Sequence, residues 1–266
     1  MNDKPDKTIV VKIGGATLGS YDTTLEDLVQ LQRQDRPVVV VHGGGKLITD
    51  WLEKHEIASR FVRGERATDA AALEVVVAVL AGLVNKEIVA AINRLGGRVV
   101  GLSGVDGSLV QGRVKNAEMG YVGTVDKIEL APMEMLLRSG YIPVVAPVAF
   151  NADEGPDERV KMLNVNADIV AGEIAAALGA ESLIFLTDVA GICDQSGNLI
   201  PQLSPDEAVG LIASGVASGG MMPKIKACLT ALSGASETRI IDGRKPHALI
   251  KEIETGGSGT TIRRKQ

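Results

Sequence analysis

The stretch Val38-Val39-Val40-Val41-His42-Gly43-Gly44-Gly45 decides the fold. Four consecutive valines do not alternate with polar residues. A strand of that kind is buried on both faces, which is the habit of parallel sheets covered by helices on each side. The glycines that follow let backbone come close to an anion, and free N–H groups there bind phosphate oxygens. The same pattern, strand then glycine, occurs at Thr8–Ile13 followed by Gly14-Gly15, with Lys12 in the strand. Ligands of open α/β sheets bind at the carboxyl ends of strands, and both clusters would lie there.

Working outward, apolar runs alternate with helical patterns. Helices are expected at Thr24–Gln32, Lys46–His55, Ala167–Leu178, Met222–Gly234 and His247–Ile253, and along Asp69–Leu95 as one long helix or two. Strands are expected at Gly97–Leu102, Tyr141–Phe150, Ser182–Thr187 and Arg239–Ile241, with Thr260–Ile262 as an edge strand. Ser108–Lys115 and Tyr121–Glu129 alternate across a polar turn and predict a local antiparallel element, a hairpin or meander. Lys161–Val165 reads as a further hairpin arm after the polar loop Asn151–Arg159. Ser204, Pro205 and Glu207 carry a capping-box signature. The fold class is therefore α/β, a three-layer αβα sandwich around an open, mostly parallel sheet. Two lobes share that sheet, residues 1–165 and 166–266.

Composition narrows the function. Of 266 residues, 45% are hydrophobic but only 3% aromatic, so Val, Ile, Leu and Ala build the core and stacking platforms for single-stranded nucleic acid are scarce. The net charge of −5 argues against a polyanion binder. No apolar run is expected to reach membrane-spanning length, the polar start carries no signal peptide, and the cytoplasm is the expected compartment. Cys193 and Cys228 stand apart from other metal-ligating residues and read as reduced, packed thiols. His42, His55 and His247 are scattered, with no Ser-His-Asp or Cys-His arrangement. A P-loop ending at Lys46 fails at Val40 and Leu47, and a dinucleotide fingerprint from Gly43 fails at Ile48.

What remains points to phosphoryl transfer. Lys12 beside Gly14-Gly15, and Lys224 after Gly219-Gly220 at a helix start, supply mobile positive charge next to anion-binding backbone. Arg66 suits a substrate carboxylate, although taken alone the segment reads better as Thr68 or Asp69 capping the next helix with Arg66 in solvent. Asn166 reads as an N-cap and Asp168 as a first-turn acid able to orient two lysines; capping does not explain Asn164. Thr187 through Ile192 ends a buried strand and would either line a nucleotide pocket or form a tight turn.

Taken together, VVKIGGA (10–16), VVVVHGGG (38–45), RGERATD (63–69), LAGLVNK (80–86), VGLSGVDG (100–107), GYVGTV (120–125), IPVVAPV (142–148), LNVNAD (163–168), LTDVAGI (186–192), GGMMPK (219–224) and DGRKPHAL (242–249) resemble the amino acid kinase family, and within it the acetylglutamate kinases. The resemblance spans Val10 to Ile262. It implies transfer of the γ-phosphoryl group of ATP to the side-chain carboxylate of N-acetyl-L-glutamate in arginine biosynthesis. By motif, Lys12 and Lys224 would stabilise the transferring group, Asp168 would organise them, and Gly15 and Gly44 would donate N–H groups. Gly44, Gly45, Arg66 and Asn164 would hold the acyl amino acid. Lys12, Asp188, Val189, Gly191, Ile192 and Lys224 would serve ATP. Mg2+ would travel with ATP, without a dedicated protein metal cage. An N-modified aminoadipate in lysine biosynthesis, and a non-catalytic nucleotide-binding relative, are the alternatives. Glu65 departs from the family's usual aliphatic residue and is expected to pair with Arg63 or reshape the pocket. The short stretch before Lys12 and the C-terminal segment from His247 give opposite signals on arginine inhibition. The expectation is a homodimer, weakly or not inhibited by arginine, with the long helix as dimer surface and a nitrogen-signalling partner undecided.

Overall fold

Two largely apolar strands form the middle of the sheet: β1 (Ile9–Ile13) and β2 (Val38–His42), buried at every residue, Lys12 and His42 included. The computed structural model describes residues 8–14, 23–62, 64–153 and 161–264. Gly15, Arg63 and most of the Asn151–Arg159 loop lie outside the described residues.

Between and after these strands come α1 (Thr24–Arg33), α2 (Gly45–Lys54) and a small hairpin of β3 (Arg60–Val62) and β4 (Glu65–Ala67). One continuous helical run, Ala70–Arg94, follows. It consists of α3 (Ala70–Val77), π-helical turns over Ala78–Val84, and α4 (Asn85–Arg94). Asp69 starts it by accepting the Ala72 N–H at 2.8 Å, an N-cap bond. Next are β5 (Val99–Gly104), the antiparallel hairpin β6 (Val110–Val114) and β7 (Gly123–Ile128), α5 (Ala131–Arg138), β8 (Ile142–Asn151) and β9 (Met162–Asn164). The second lobe contributes α6 (Ala167–Leu178), β10 (Ser182–Thr187), β11 (Gln202–Leu203), α7 (Pro205–Ala213), α8 (Met221–Ala231), β12 (Glu237–Asp242), α9 (Ala248–Thr255) and β13 (Thr260–Arg263). The capping box at Ser204 and Glu207 forms as the sequence predicts.

The strands make one sheet in the order β11-β13-β12-β10-β1-β2-β8-β6-β7, with β5 and β9 also paired to β8. β1, β2, β5, β8, β10 and β12 run parallel where they pair, so the predicted mostly parallel αβα sandwich is what forms. Period-two alternation sorts the side chains. Val10 and Val39 pack with α5, α6 and α8 on one face; Ile9, Val11, Val38 and Val40 pack with α1, α2, the long helix and α9 on the other.

Three expectations are corrected. β13 is not an edge strand: it lies between β12 and the two-residue β11, too short a run to register as a strand in sequence. Cys193 is exposed, because it sits in a surface turn after β10, and only Cys228 is packed in the core. The Ala70–Arg94 helix is long and apolar enough to cross a membrane by length and composition, with 44% of its most apolar window buried inside the molecule. Glu65 pairs with Lys115 at 2.6 Å, from the turn region after β6, and lines the pocket beside Arg66; the expected pairing with Arg63 falls outside the described residues.

Candidate active site

Alternation along β1 places Lys12 with Val10, facing α6 and α8. That is where the other charges are. Asp168 lies in the first turn of α6, started by the Asn166 side chain accepting the Asp168 N–H at 2.8 Å. Lys224 lies in the first turn of α8, whose N-cap is Gly220. Lys12 Nζ is 2.7 Å from Asp168 Oδ1, and Lys224 Nζ is 3.1 Å from Asp168 Oδ2. One carboxylate thus holds two ammonium groups, and the trio keeps one net positive charge.

Burial makes these interactions strong. Lys12 is 7% exposed and Asp168 5%. Burial lowers the pKa of Lys12, and the nearby Lys224 charge adds to that; the Asp168 carboxylate opposes both. Burial alone would raise the Asp168 carboxyl, but the two lysines outweigh it and hold it below the usual carboxylate range.

Lys12 and Asp168 open onto a cleft of about 240 Å³ at the carboxyl ends of β1 and β2. Lys12, Gly43, Gly44, Gly45, Arg66, Asn164 and Asp168 all line it. The Gly43 N–H is tied to the Ile13 carbonyl at 3.0 Å, which draws the two strand ends together. Arg66, in β4, is held by the hydroxyls of Thr49, at 2.8 Å, and Ser59, and by the Gly45 carbonyl at 3.2 Å. Its guanidinium also lies 4.6 Å from the centre of the Phe61 ring. Burial lowers its pKa, and it stays charged in any ordinary medium. Asn164, in β9, donates to Thr68 Oγ1 at 3.0 Å, joining the capped start of the long helix to the cleft floor.

Lys12, Asp168, Gly44, Gly45, Arg66 and Asn164 therefore share one cleft, with Lys224 at its edge through Asp168. The segment after β10 stands apart from it. Asp188 and Val189 are exposed at the carboxyl end of β10, near Asp242 and Arg244. Ile192 is buried, with its N–H bonded to Thr260 Oγ1 at 2.8 Å and its carbonyl to the Ile200 N–H at 2.8 Å. A Cβ on Gly191 would meet Thr260 and Leu199, so this turn is closely packed. Sequence reading missed His42 and Asn85, both without exposed surface beneath the glycine loop, and the hydroxyls that hold Arg66. A polar residue closing an otherwise apolar strand, as His42 closes β2, was the available signal.

Comparison with known proteins fits this geometry. The profile of the Amino acid kinase family matches residues 7–242. The chain belongs to the amino acid kinase family. An acetylglutamate kinase of Dehalococcoides mccartyi is 44% identical over 262 residues, covering 98% of this chain and 96% of that one. The acetylglutamate kinase of Nostoc punctiforme is 48% identical over 266 residues, covering 96% and 87%. The crystal structure of smu.665 from Streptococcus mutans superposes with a TM-score of 0.82 at 26% identity, covering 97% of this chain and 99% of that one. In this amino acid kinase, the lysine–aspartate–lysine trio and the glycine loop fall within the region matched by the family profile.

Proposed function

We propose that this chain transfers the γ-phosphoryl group of ATP to the side-chain carboxylate of N-acetyl-L-glutamate, an early step of arginine biosynthesis. The observation that carries the reading is Asp168, bound at once to Lys12 and Lys224 over a cleft that also holds the glycine loop, Arg66 and Asn164. The 44% identity to an acetylglutamate kinase over nearly the whole length supports the substrate.

The chemistry needs what this cleft offers. A carboxylate with a pKa of about 4.3 is already ionised at neutral pH, so no general base is required. Transfer then depends on alignment and on neutralising charge spread over the phosphoryl oxygens. Lys12 and Lys224 supply that charge, and Asp168 keeps them from repelling each other. Gly44 donates an N–H, and Arg66 and Asn164 hold the acyl amino acid in the lobe of residues 1–165. MgATP enters on the lobe of residues 166–266, with Asp188 to Ile192 beside it. The free thiols of Cys193 and Cys228 agree with a cytoplasmic enzyme. The long apolar helix, less than half buried in one copy, supports a homodimer.

The test is purified protein with MgATP and either N-acetylglutamate or N-acetylaminoadipate, the acyl phosphate being trapped with hydroxylamine. Far higher kcat/KM with acetylglutamate, abolished in Lys224→Ala, is the expected result. Product mainly from the longer acid would transfer the enzyme to lysine synthesis, and ATP binding without product from either would leave the family standing and sink both substrates.

A further inference from the structure

His42 closes β2 with no exposed surface. Alternation puts it with Val38 and Val40, on the face opposite Lys12 and beneath the long helix. Asn85, equally buried, meets it there. Asn85 Nδ2 lies 3.2 Å from His42 Nε2, 2.9 Å from the Val144 carbonyl and 3.2 Å from the Leu102 carbonyl. Lys86 Nζ donates to Asn85 Oδ1 at 2.9 Å. The other ring nitrogen, Nδ1, is 3.0 Å from the Gly43 carbonyl.

These contacts fix the proton on the ring. Two carbonyls require the NH2 side of the Asn85 amide, and the Lys86 ammonium requires its oxygen, so the amide has one orientation. Nε2 therefore faces an NH2 group, which cannot accept a hydrogen bond but can share one of its two hydrogens between Nε2 and a carbonyl, so Nε2 carries no proton. Nδ1 faces a carbonyl and must carry one. Burial works in the same direction. It pushes His42 down to about 4 against the pull of the Gly43 carbonyl, and the charges of Lys12 and Lys86 push it further that way.

The Gly43 carbonyl is thus turned toward the ring. In a planar trans peptide the next N–H points the opposite way. The described residues contain no cis peptide, so the Gly44 N–H faces away from His42, toward the side on which the cleft lies. Among the described residues it has no acceptor. The helix seats the loop from below: a Cβ on Gly44 would stand 2.8 Å from Leu80 Cδ2 and 3.4 Å from Val84 Cγ2. Both residues belong to the π-helical turns, which end at the residue before Asn85.

We infer that Asn85 and His42 are positioning residues for phosphoryl transfer: the amide sets the ring tautomer, and the ring sets the Gly43–Gly44 peptide so that the Gly44 N–H meets the transferring group. This inference rests on the kinase reading above.

The first readout is the imidazole 15N spectrum of His42 in the wild-type protein at pH 7. It is expected to show a neutral ring protonated on Nδ1. A ring protonated on Nε2, or on both nitrogens, overturns the inference, and this readout needs no variant to fold and no turnover. The second readout is kinetic. In His42→Asn the amide nitrogen takes roughly the place of Nδ1 and can keep the bond to Gly43. His42→Leu cannot, and should lose about 100-fold in kcat, with KM for both substrates moving by less than about threefold. His42→Asn should keep kcat within about tenfold of wild type. Equal kinetics in the two variants overturns the inference. Wild-type protein that binds ATP but does not phosphorylate acetylglutamate defeats the substrate reading instead, and the spectrum then decides this one.

Discussion

Asp168 is the residue on which the site's electrostatics turn, since only its carboxylate opposes the forces that strip charge from Lys12. Burial and the neighbouring Lys224 both lower the Lys12 pKa. In Asp168→Asn nothing offsets them, so Lys12 should lose its proton closer to neutrality. The expected result is a kcat lower by about 100-fold near pH 7, with an alkaline limb displaced to lower pH. A pH–rate profile whose alkaline limb matches wild type would defeat the assignment. His42 makes a separate prediction on stability. Its folded pKa of about 4 lies below the ordinary 6.5, so on acidification the unfolded chain takes up a proton that the folded chain refuses. Stability tied to His42 is intact above about pH 6.5, declines as pH falls toward 4, and is flat below; the loss is about 3 kcal/mol. Urea midpoints across that range should fall less steeply in His42→Asn than in wild type, and parallel slopes would show that His42 does not carry the effect. Lys12, Asp168 and Lys224 were legible in sequence because each is a charge set beside glycines or a helix cap. The His42–Asn85 pair was not: its partners are 43 residues apart, and their meeting depends on the phase of a helix against a strand.

The crossing of α6 and α8 is the element on which the lysine–aspartate contact depends. Gly172 lies one turn beyond Asp168 in α6, and Ala227 one turn beyond Lys224 in α8. A Cβ on Gly172 would stand 2.6 Å from the Ala227 carbonyl oxygen, a backbone atom with no rotamer to move. Gly172→Ala should therefore push the helices apart and draw Lys224 away from Asp168. The expected cost is about 1–3 kcal/mol of stability together with a fall in kcat. Chemical denaturation and steady-state kinetics on the same variant check it; a loss of stability with unchanged kcat would show that Lys224 is held independently of the crossing. Most elements were readable because their signals are local. Unbroken valines gave β2, Asn166 gave the start of α6, and Ser204-Pro205-Asp206-Glu207 gave α7. Helix α5 was not read: it has only eight residues, with Pro132 in its first turn, and it is held by Met133 and Leu137 packing into the core. Strand β11 is two residues long and exists only because β13 is beside it.

At the scale of the molecule, sequence gave the class of sheet but not its order. β8 pairs with β2, β5, β6 and β9, and nothing along its own ten residues announces four partners. The long helix poses the remaining question at this scale. It runs 25 residues and only 44% of its most apolar window is buried in one copy. Its outer side carries Ala71, Glu74, Ala78 and Gly82, all exposed, so one acid among three small residues, flanked by half-buried Val77, Ala81 and Leu83. Small residues let a second helix approach closely, and apolar area left in water is driven to be covered. A second copy packed helix to helix would cover it while leaving the cleft at the carboxyl ends of β1 and β2 open. Light scattering coupled to size exclusion should therefore give about twice the 27.8 kDa of a single chain. Ala78→Arg, which sets a charge in the middle of that side, should shift the mass toward one chain. A single-chain mass for the wild type, or a dimer untouched by Ala78→Arg, would remove the long helix from the interface.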